Sequence, residues 1–235
     1  MAEDYPLISC ICITCDRTEL LQNAINYFQN QNYPNKELVI SYPKKDKTTP
    51  ALINQILNQN SINILKLERD DQETLGNSRN LAIAKCNGDY ICTWDDDDWY
   101  HSNRLKFQYD SMRSTGKGHQ ACVLTRIILY DSTTNNAYLS NSYTWDCTLL
   151  CRKEIIFQNQ YAHLDKAEDT HIIKFLDSRN ILYHIEDFPF LYVYIYHGKN
   201  TWNYSHFEYF LERSELLDEE ITLTIRKALN LLIQR

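Results

Sequence analysis

A short apolar stretch that leads directly into four consecutive aspartates constrains the fold of this chain more than any other feature. Residues 90–94 read YICTW and are β-prone, and residues 95–98 are all aspartate. An apolar run without alternation is typical of a strand that is buried on both faces of a parallel sheet. The aspartates must then lie at the carboxyl end of this strand, where open α/β sheets bind their ligands.

The four adjacent carboxylates repel one another, and the size of this repulsion indicates what the run binds. Two carboxylates about 6 Å apart repel by roughly 3 kcal/mol at an effective dielectric constant near 20. A hard divalent cation such as Mg²⁺ or Mn²⁺ relieves the repulsion, because it binds carboxylate oxygens together with phosphates. The alternative is a solvated acidic loop, in which the repulsion falls to about 1 kcal/mol or less. The apolar strand before the run and Trp99 after it favour the cation site.

The composition is that of a soluble globular protein and argues against several classes of function. The 235 residues are 43% hydrophobic and 23% charged, and the net charge of −7 argues against a nucleic-acid binder. No run of about 18 apolar residues predicts a membrane span. No secretory signal is visible, and the eight cysteines lack the paired spacing of a zinc site. We therefore expect a cytoplasmic protein with reduced cysteines.

Apolar runs and helical periodicities alternate along the first half of the chain. The predicted strands are residues 7–14, 36–41, 62–67 and 90–94. The predicted helices begin near residues 16, 51, 76 and 101. This alternation is typical of strands joined by crossover helices. It predicts an α/β fold with a mostly parallel central sheet flanked by helices.

The second half is richer in predicted strands, and its final segment is helical. The predicted elements are strands at 121–130, 137–139, 148–151, 181–185 and 190–196 and a short helix at 169–176. Residues 206–235 carry apolar side chains at helical spacing from Phe207 to Leu232, and predict two segments around residues 218–220. We expect them to pack on the domain. Peripheral contact with a membrane surface, or a homodimer, is the alternative.

Four motifs in a fixed order, with a histidine after them, give the chain a resemblance to a known family. They are Thr14-Cys15-Asp16-Arg17 after the first strand, GNSRN at 76–80, WDDDDW at 94–99, Ala167-Glu168-Asp169, and then His197. The ordered set resembles the family 2 glycosyltransferases, which use nucleotide-diphospho-sugars and have the GT-A fold. The resemblance covers about residues 5–200.

The resemblance implies a domain organisation. It indicates one Rossmann-like GT-A domain at residues 1–205, followed by a C-terminal helical extension at 206–235. Within the domain, residues 1–115 are the expected nucleotide-sugar-binding half. Residues 116–205 are the expected acceptor and catalytic half.

In the resembling family an Asp-x-Asp element binds the nucleotide and its metal. By the family register Asp95 lies near the ribose with Asp96 beside it, and Asp97 coordinates Mn²⁺ or Mg²⁺. A shift of one residue would instead use Asp96 and Asp98, so Asp95 and Asp98 are further candidate metal ligands. The chemistry explains the residue type, because a metal stabilises the charge of the departing nucleoside diphosphate.

The pair Glu168-Asp169 matches the family's Glu-Asp element at the start of a helix. The resemblance makes Asp169 the general base that takes the proton from an acceptor hydroxyl, with Glu168 as its catalytic neighbour. It implies a single, inverting displacement. The alternative is that both acids only complement the dipole of the helix.

Cations and a histidine complete the implied site. His197 resembles a histidine that some members use as a further metal ligand, and the alternative is a hydrogen-bonded structural residue. Arg79 resembles an arginine that neutralises the nucleotide phosphates, and the alternative is a solvated helix charge. Lys199 is a weaker phosphate candidate. The motif after the first strand adds three nucleotide-sugar-binding candidates, Thr14, Asp16 and Arg17.

The chain departs from the family pattern at the second strand, where the family usually has an acid that recognises the base. Ser41 and Tyr42 stand there instead, as candidates to hydrogen-bond and to stack on a base. A UDP-sugar is favoured as donor, and this departure leaves the base open. Trp145 and Asp146 are candidates for shaping the sugar pocket, with a core tryptophan and a capping aspartate as the alternative.

Together these features predict a metal-dependent, inverting glycosyltransferase that moves a sugar to an acceptor hydroxyl. The expected acceptor is a saccharide or a lipid-linked molecule, in surface polysaccharide or glycoconjugate synthesis. A nucleotidyltransferase is one rival, although the turn at residues 15–18 lacks the glycine-rich loop such enzymes use. The other rival is a degenerate, non-catalytic GT-A module that binds a sugar or a protein partner.

Overall fold

The computed structural model describes residues 5–59 and 61–230, and within them the chain forms two β-sheets and eight α-helices. The strands are β1 (Ile8–Ile13), β2 (Lys36–Pro43), β3 (Ile64–Arg69), β4 (Tyr90–Thr93), β5 (Trp99–Tyr100), β6 (Ala121–Leu124), β7 (Ile128–Asp131), β8 (Asn136–Leu139), β9 (Trp145–Arg152), β10 (Leu182–Ile185), β11 (Tyr192–Tyr196) and β12 (Glu215–Leu216). The helices are α1 (Thr18–Gln29), α2 (Thr48–Gln59), α3 (Leu75–Lys85), α4 (Arg104–Ser114), α5 (Lys153–Gln158), α6 (Thr170–Ser178), α7 (Tyr204–Leu211) and α8 (Glu219–Asn230). A 3₁₀ helix at Pro189–Leu191 leads into β11.

The central sheet has seven strands in the order β10-β6-β9-β4-β1-β2-β3. β1 pairs in parallel with β2 and with β4, β2 with β3, and β10 with β6. β9 alone in this sheet runs antiparallel to its neighbours, β4 and β6. The predicted mostly parallel central sheet is therefore confirmed. Strands from both halves of the chain share it, and the division at residue 115 stays a prediction.

The strand β4 is buried along its whole length, and this explains why the acidic run begins only after it. All four residues of β4 are buried. Gly88 lets the strand approach β1 closely, since an added Cβ would lie 2.5 Å from Ser9 Oγ. Trp94 is fully buried, donates from Nε1 to the Ala24 carbonyl at 3.1 Å and stacks on Tyr100 at 3.8 Å. The acidic run therefore begins only after the buried Trp94 side chain.

A second sheet of five strands, in the order β12-β8-β7-β11-β5, was not predicted from the sequence. The prediction of a single strand at 121–130 is wrong, because the chain leaves the central sheet in the middle of this run. The backbone N–H of Thr125 donates to the Ile185 carbonyl at 2.9 Å, which closes the pairing of β6. The N–H of Ile127 donates to Ser140 Oγ at 3.0 Å as β7 begins in the other sheet.

Smaller differences occur where local geometry overrides β propensity. The run at 190–196 starts as the 3₁₀ helix, because Pro189 favours a helical first turn and β11 begins only at Tyr192. β9 begins at Trp145, three residues before the predicted start at 148. These shifts leave the order of the predicted elements unchanged.

The C-terminal segment is helical but is interrupted by β12. α8 packs on the second sheet through Ile225, which is 6% exposed and lies with Ile128 and Val193 in one apolar cluster. The last predicted positions, residues 231–235 with Leu232, lie outside the described residues. Within residues 5–59 and 61–230, no helix combines the length and the apolar character needed to cross a bilayer.

Candidate active site

The acidic run lies at the carboxyl end of the parallel strands β1 and β4, as the sequence predicted. The backbone N–H of Trp94 donates to the Ile11 carbonyl at 3.0 Å, so the run begins where the strand pairing ends. Thr14, just after β1, donates from Oγ1 to Asp96 Oδ2 at 2.5 Å. Asp95 and Asp97 are partly exposed, whereas Asp96 and Asp98 are buried. The solvent exposure of the four aspartates therefore alternates along the run.

Arg17 is the cation on one side of the run. Its Nη1 lies 3.3 Å from Asp96 Oδ1 and 3.1 Å from Asp97 Oδ2. Its Nη2 donates to the Lys199 carbonyl at 2.7 Å. Burial, and then the Asp97 charge, raises the pKa of Asp96 to about 6. Arg17 thus joins the motif after β1, the acidic run and the loop after β11.

Asp97 and His197 form the part of the site that a divalent metal would fit. His197 Nε2 lies 3.1 Å from Asp97 Oδ2. Two adjacent ligands of an octahedral ion with bonds of about 2.1 Å lie roughly 3 Å apart, so the separation fits. Within residues 5–59 and 61–230, no cluster of three or more His, Cys, Asp or Glu side chains is arranged to hold a metal. The residues thus fit an ion that takes its other ligands from a bound phosphate.

Asp98 has a different environment from the other members of the run. It is 3% exposed, and its two oxygens accept hydrogen bonds from the Tyr192 hydroxyl and from the Ile195 backbone N–H. Burial, and then the Asp97 charge, raises the pKa of Asp98 above its ordinary value. These bonds anchor the end of the run to β11. They leave the predicted metal role of Asp98 without support in the geometry.

Arg79 is the cation at the opposite side of the run and connects it to the start of α6. Its guanidinium pairs with Glu168, lies 3.3 Å from Asp95 Oδ1 and lies 3.8 Å from Asp169 Oδ2. Burial by itself lowers the pKa of Arg79, but the Asp95 and Glu168 carboxylates raise it above its ordinary value. Arg79 is 8% exposed and permanently charged, so it is no solvated helix charge.

The GNSRN segment explains why Arg79 can reach these acids. Its glycine lies in the first turn of α3, and a Cβ on Gly76 would lie 1.8 Å from the Ala162 carbonyl oxygen. The Gly76 N–H donates to the Leu164 carbonyl at 3.0 Å. Asn80 exchanges two hydrogen bonds with the backbone of Tyr161, at 2.9 and 2.8 Å. The segment therefore holds the loop that leads to Glu168 against α3.

Asp169 lies at the N-terminal end of α6, but its side chain does not cap the helix. Its carboxylate instead faces the same cavity as the acidic run. Glu168 is 3% exposed, and burial raises its pKa while Arg79 opposes this shift. This geometry favours the base over the alternative of acids that only complement the helix dipole. The catalytic assignment of both residues stays a prediction.

Trp145 and Asp146, at the start of β9, line this cavity as well. Asp146 Oδ1 accepts a hydrogen bond from the Cys147 backbone N–H at 2.9 Å. Burial, and then the neighbouring Asp169 carboxylate, raises the pKa of Asp146 above its ordinary value. Asp146 thus lies beside the candidate base, and it is not a helix cap.

The cavity that these residues share has a volume of ≈ 350 Å³. It brings together ten of the predicted site residues: Arg17, Arg79, Asp95, Asp96, Asp97, Asp98, Trp145, Asp146, Glu168 and Asp169. The other predicted residues lie outside its lining: Thr14, Asp16, Ser41, Tyr42, His197 and Lys199. His197 and Thr14 nevertheless contact the run directly through Asp97 and Asp96.

Two residues at the edge of β2 and β3 were missed by the sequence reasoning. Asp46 is fully buried and accepts hydrogen bonds from the Asp16 N–H at 2.9 Å and the Thr49 hydroxyl at 2.6 Å. Burial by itself raises the pKa of Asp46, but these hydrogen bonds lower it below its ordinary value. The aspartate before Thr48 and Thr49 is a helix-start signal that could have indicated this role.

Arg69 is the second missed residue, at the carboxyl end of β3. Its Nη2 donates to the Thr14 carbonyl at 3.1 Å, and its Nη1 lies 3.4 Å from Ser41 Oγ. Ser41 and Tyr42 are both buried, at 1% and 7% exposure. Arg69 thus stands beside the position where the family pattern expects an acid. Its place at the end of a strand in an α/β sheet was the signal.

Comparison with known proteins identifies the family. The family model described as Glycosyl transferase family 2 matches residues 9–189, which is well over half of the chain. The chain belongs to glycosyl transferase family 2. A comparison with curated proteins gave no match.

Solved structures with the same fold include two glycosyltransferases from different organisms. TarS 1-349 of S. aureus in complex with UDP-GlcNAc has a TM-score of 0.65 and 17% identity, over 83% of this chain and 60% of that chain. The mannosyltransferase PcManGT of Pyrobaculum calidifontis, in complex with GDP-Man and Mn²⁺, has a TM-score of 0.62 and 13% identity. That match covers 84% of this chain and 59% of the mannosyltransferase. This family 2 chain therefore spans about 60% of the length of these structures.

These findings confirm the predicted family, which is described as Glycosyl transferase family 2, and the GT-A-like α/β fold. At 13% to 17% identity the structural matches establish the fold alone. The nucleotides and the ion in their descriptions belong to those proteins. The donor, the acceptor, the use of metal and the stereochemistry of this family 2 chain are matters for proposal.

Proposed function

We propose that this chain is a metal-dependent, inverting glycosyltransferase that moves a sugar from a nucleotide-sugar to an acceptor hydroxyl. The observation that carries the proposal is the position of Arg79. It bridges Asp95, at the end of β4, and the Glu168–Asp169 pair, at the start of α6. A donor-binding acid and a candidate base therefore share one cavity, as a direct displacement requires.

We assign the binding of the nucleotide-sugar donor to the acidic run and its two cations. Arg17 and Arg79 stand on either side of the run, where each can neutralise a phosphate or stabilise the charge of the leaving diphosphate. The solved relatives bind UDP-GlcNAc and GDP-Man respectively, so both bases are represented in this fold. A UDP-sugar is the favoured donor, and a GDP-sugar is the alternative.

We assign the activation of the acceptor hydroxyl to Asp169. The acceptor hydroxyl oxygen forms a bond to the anomeric carbon, and the hydroxyl proton passes to an Asp169 carboxylate oxygen. The bond from the anomeric carbon to the diphosphate oxygen breaks, and the diphosphate leaves with the electron pair. Attack from the face opposite the leaving group inverts the configuration at that carbon. Glu168, paired with Arg79, holds the guanidinium between the two halves.

Asp97 and His197 are the residues that would hold a divalent metal in this proposal. When bound, Mn²⁺ or Mg²⁺ would supply positive charge that neutralises the donor diphosphate. Arg17 Nη1 already lies 3.1 Å from the same Asp97 oxygen. A metal held by Asp97 would compete with Arg17 for this oxygen, and the Arg17 guanidinium would then be available to bind a phosphate.

The experiment measures release of nucleoside diphosphate from a panel of UDP- and GDP-sugars, with Mn²⁺ and with chelator. We expect release with at least one donor, loss of release with chelator and recovery on addition of Mn²⁺. Asp97→Asn and His197→Ala should each lower release by about 10²-fold or more. Asp89→Asn is the matched control, because Asp89 is exposed and precedes β4.

The possible outcomes separate the parts of the proposal. Release that is unchanged by chelator would contradict the metal requirement and leave sugar transfer in place. Binding of a nucleotide-sugar without any release would instead favour a non-catalytic module. Release of inorganic pyrophosphate from a nucleoside triphosphate would favour a nucleotidyltransferase.

A further inference from the structure

One wall of the cavity is a continuous line of aromatic rings, which we call the aromatic strip: Trp202, His206, Phe210, Trp145 and Tyr143. Trp202 stacks on His206 at 4.0 Å, and His206 contacts Phe210 at 5.3 Å. Phe210 contacts Trp145 at 4.9 Å, and Trp145 contacts Tyr143 at 5.4 Å. All five rings line the same cavity as the acidic residues. Aromatic faces of this kind bind the apolar faces of ring-shaped ligands.

Most of the aromatic strip lies outside the part of the chain that the family model matches. Three of its members, Trp202, His206 and Phe210, lie in or just before α7, beyond the residues 9–189 that the family model matches. None of the five rings contacts the acidic run through a hydrogen bond among the described residues. The strip is therefore free of the ion pairs that fix the donor half of the site.

The indole N–H of Trp145 lacks a hydrogen-bond acceptor. Trp145 is 6% exposed, and its Nε1 has no acceptor among the residues that the structure describes. Buried donors in proteins are almost always paired with the protein, with water or with a ligand. A ring-shaped ligand with hydroxyl groups would supply both the face for stacking and the acceptor for this N–H. Sugars have both properties.

The charges around the aromatic strip indicate that this sugar is uncharged. Asp146, Asp165 and Asp169 line the same cavity, and its two arginines, Arg17 and Arg79, stand at the acidic run, where we assign them to the donor diphosphate. An anionic group on a sugar bound at the strip would meet the like charges of Asp165 and Asp169. Lys166, which lies 4.8 Å above the Trp202 ring, is exposed and stands at the far end of the strip.

A second cavity continues from the aromatic strip. It has a volume of ≈ 440 Å³ and shares Tyr143, Asp146 and Thr170 with the first cavity. Hydroxyl side chains line much of it, namely Thr125, Ser142, Thr144 and Thr170, and the basic residues in its lining are His184 and the exposed Lys174. Hydroxyl groups with both donor and acceptor capacity match the hydroxyls of a sugar. Tyr143, at the junction, is 51% exposed and contributes to both cavities.

We propose that the two cavities bind an uncharged saccharide acceptor of at least two sugar residues. Its terminal ring stacks on the aromatic strip beside Asp169, and the next residue passes Tyr143 into the second cavity. The inference rests on the proposed glycosyl transfer, because it assigns the acceptor of that reaction. It excludes an anionic acceptor and a free monosaccharide as the preferred ligand.

The test compares substitutions at the junction. Tyr143→Ala removes the shared ring, and Tyr143→Phe keeps the ring without the hydroxyl. Both keep the bond from the Tyr143 backbone N–H to the Thr125 carbonyl at 2.8 Å, so the fold should survive. Phe157→Ala is the matched control, since Phe157 is equally exposed at 51% and lines neither cavity. Thermal melts would verify that all four proteins are folded.

The probes are two neutral disaccharides, lactose and cellobiose, their monosaccharides glucose and galactose, and the anionic trisaccharide 3′-sialyllactose. Binding in the presence of UDP and of GDP would be measured by saturation-transfer NMR and by tryptophan fluorescence. We expect at least one disaccharide to bind about tenfold more tightly than its monosaccharides. Tyr143→Ala should weaken this binding about tenfold, while Tyr143→Phe and Phe157→Ala should not.

Two results would overturn the inference. One is tighter binding of 3′-sialyllactose than of lactose, and the other is equal affinity of Tyr143→Ala and the unaltered protein. Failure to bind any neutral sugar would also count against it. Nucleoside diphosphate release, measured separately with water as the acceptor, reports on the proposed function. A protein that releases diphosphate but binds no neutral sugar refutes the saccharide acceptor alone.

Discussion

Two regions of the cavity lining are held together by different kinds of interaction, ion pairs in one and aromatic ring contacts in the other. The ion-paired centre, which we define as Arg17, Arg79, Asp95, Asp96, Asp97, Glu168 and Asp169, consists of charges within a few ångströms of one another. The aromatic strip consists of ring contacts between 4.0 and 5.4 Å. In the centre each side chain depends on a partner of opposite charge. In the aromatic strip each ring adds apolar contact area.

This difference predicts two kinds of response to substitution. Removing one member of a buried ion pair leaves an uncompensated charge, and such changes cost several kcal/mol. Truncating one ring of a stack removes contact area and costs about 0.5–1.5 kcal/mol beyond that area. We therefore expect all-or-none effects in the centre and graded effects in the strip. Substitutions in the two regions test this contrast.

The largest effect is expected from Asp169→Asn. The amide has the same shape as the carboxylate but cannot take the acceptor proton, so sugar transfer should fall by about 10²- to 10⁴-fold. Donor affinity should change little, because Asp169 lies 3.8 Å from Arg79 and is not its main partner. Transfer rate and nucleotide-sugar affinity would be measured on the same protein. Asp177→Asn, on the exposed end of α6, is the control, and equal rates in the two variants would remove Asp169 as the base.

The second effect is expected from Arg79→Met. The substitution leaves Glu168 and Asp95 without a cation, and we expect the free energy of unfolding to fall by roughly 3–5 kcal/mol. Arg79→Lys keeps the positive charge but loses the planar guanidinium. It should therefore restore more of the free energy of unfolding than of the rate of sugar transfer. Urea unfolding and diphosphate release would be measured for both. A loss from Arg113→Met, at an exposed site on α4, as large as that from Arg79→Met would contradict the bridging role.

The third effect is expected from Gly76→Ala. The added methyl would lie 1.8 Å from the Ala162 carbonyl oxygen, so the loop before Glu168 must move. We expect a loss of roughly 1–3 kcal/mol in the free energy of unfolding, with a larger fractional loss of transfer. Thermal melts and rates would be compared with Lys85→Ala, at an exposed site on α3. An unchanged transfer rate in Gly76→Ala would show that the loop tolerates displacement.

Much of the ion-paired centre was predictable because its residues are local in the sequence. Residues 95–98 follow a strand, and the ends of parallel strands meet at one edge of a sheet. The pairing of Arg79 with Glu168 joins residues 89 positions apart, and no local pattern indicates it. The resemblance made both residues candidates for the site, but the sequence did not predict their contact. Asp46 and Arg69 each carry a local signal, a helix start and a strand end, but their contacts with Asp16 and Thr14 join residues that are distant in the sequence.

The aromatic strip was not predictable, because it depends on tertiary contacts alone. Tyr143 and Phe210 lie 67 residues apart in sequence and contact at 5.3 Å. Their elements meet because the chain leaves the central sheet after β6 and builds a second sheet. That departure occurs within 121–130, a β-prone run that reads as one strand. With 17 tyrosines in the chain, composition alone could not indicate which rings face a cavity.

The smallest effect is expected at the border of the two regions, from Asp146→Asn. Burial and the neighbouring Asp169 raise the pKa of Asp146, so the folded protein binds this proton more tightly than the unfolded chain does. The free energy of unfolding of the unaltered protein should therefore fall as the pH rises from the ordinary value of about 3.9 toward the raised value. Arg79 opposes this shift but is shared with Glu168.

Asparagine cannot lose a proton, so the substitution removes this decline with pH. Asp146→Asn should thus be more stable than the unaltered protein at pH 7–8, and the advantage should shrink toward pH 4. Urea unfolding at several pH values would measure the difference, with the exposed Asp89→Asn as the control. An advantage that stays constant over this range would mean that Asp146 is charged throughout, as an ordinary surface carboxylate. An advantage that appears only at high pH would show that the charged form of Asp146 is unfavourable in the folded protein, at the border between the ion-paired centre and the aromatic strip.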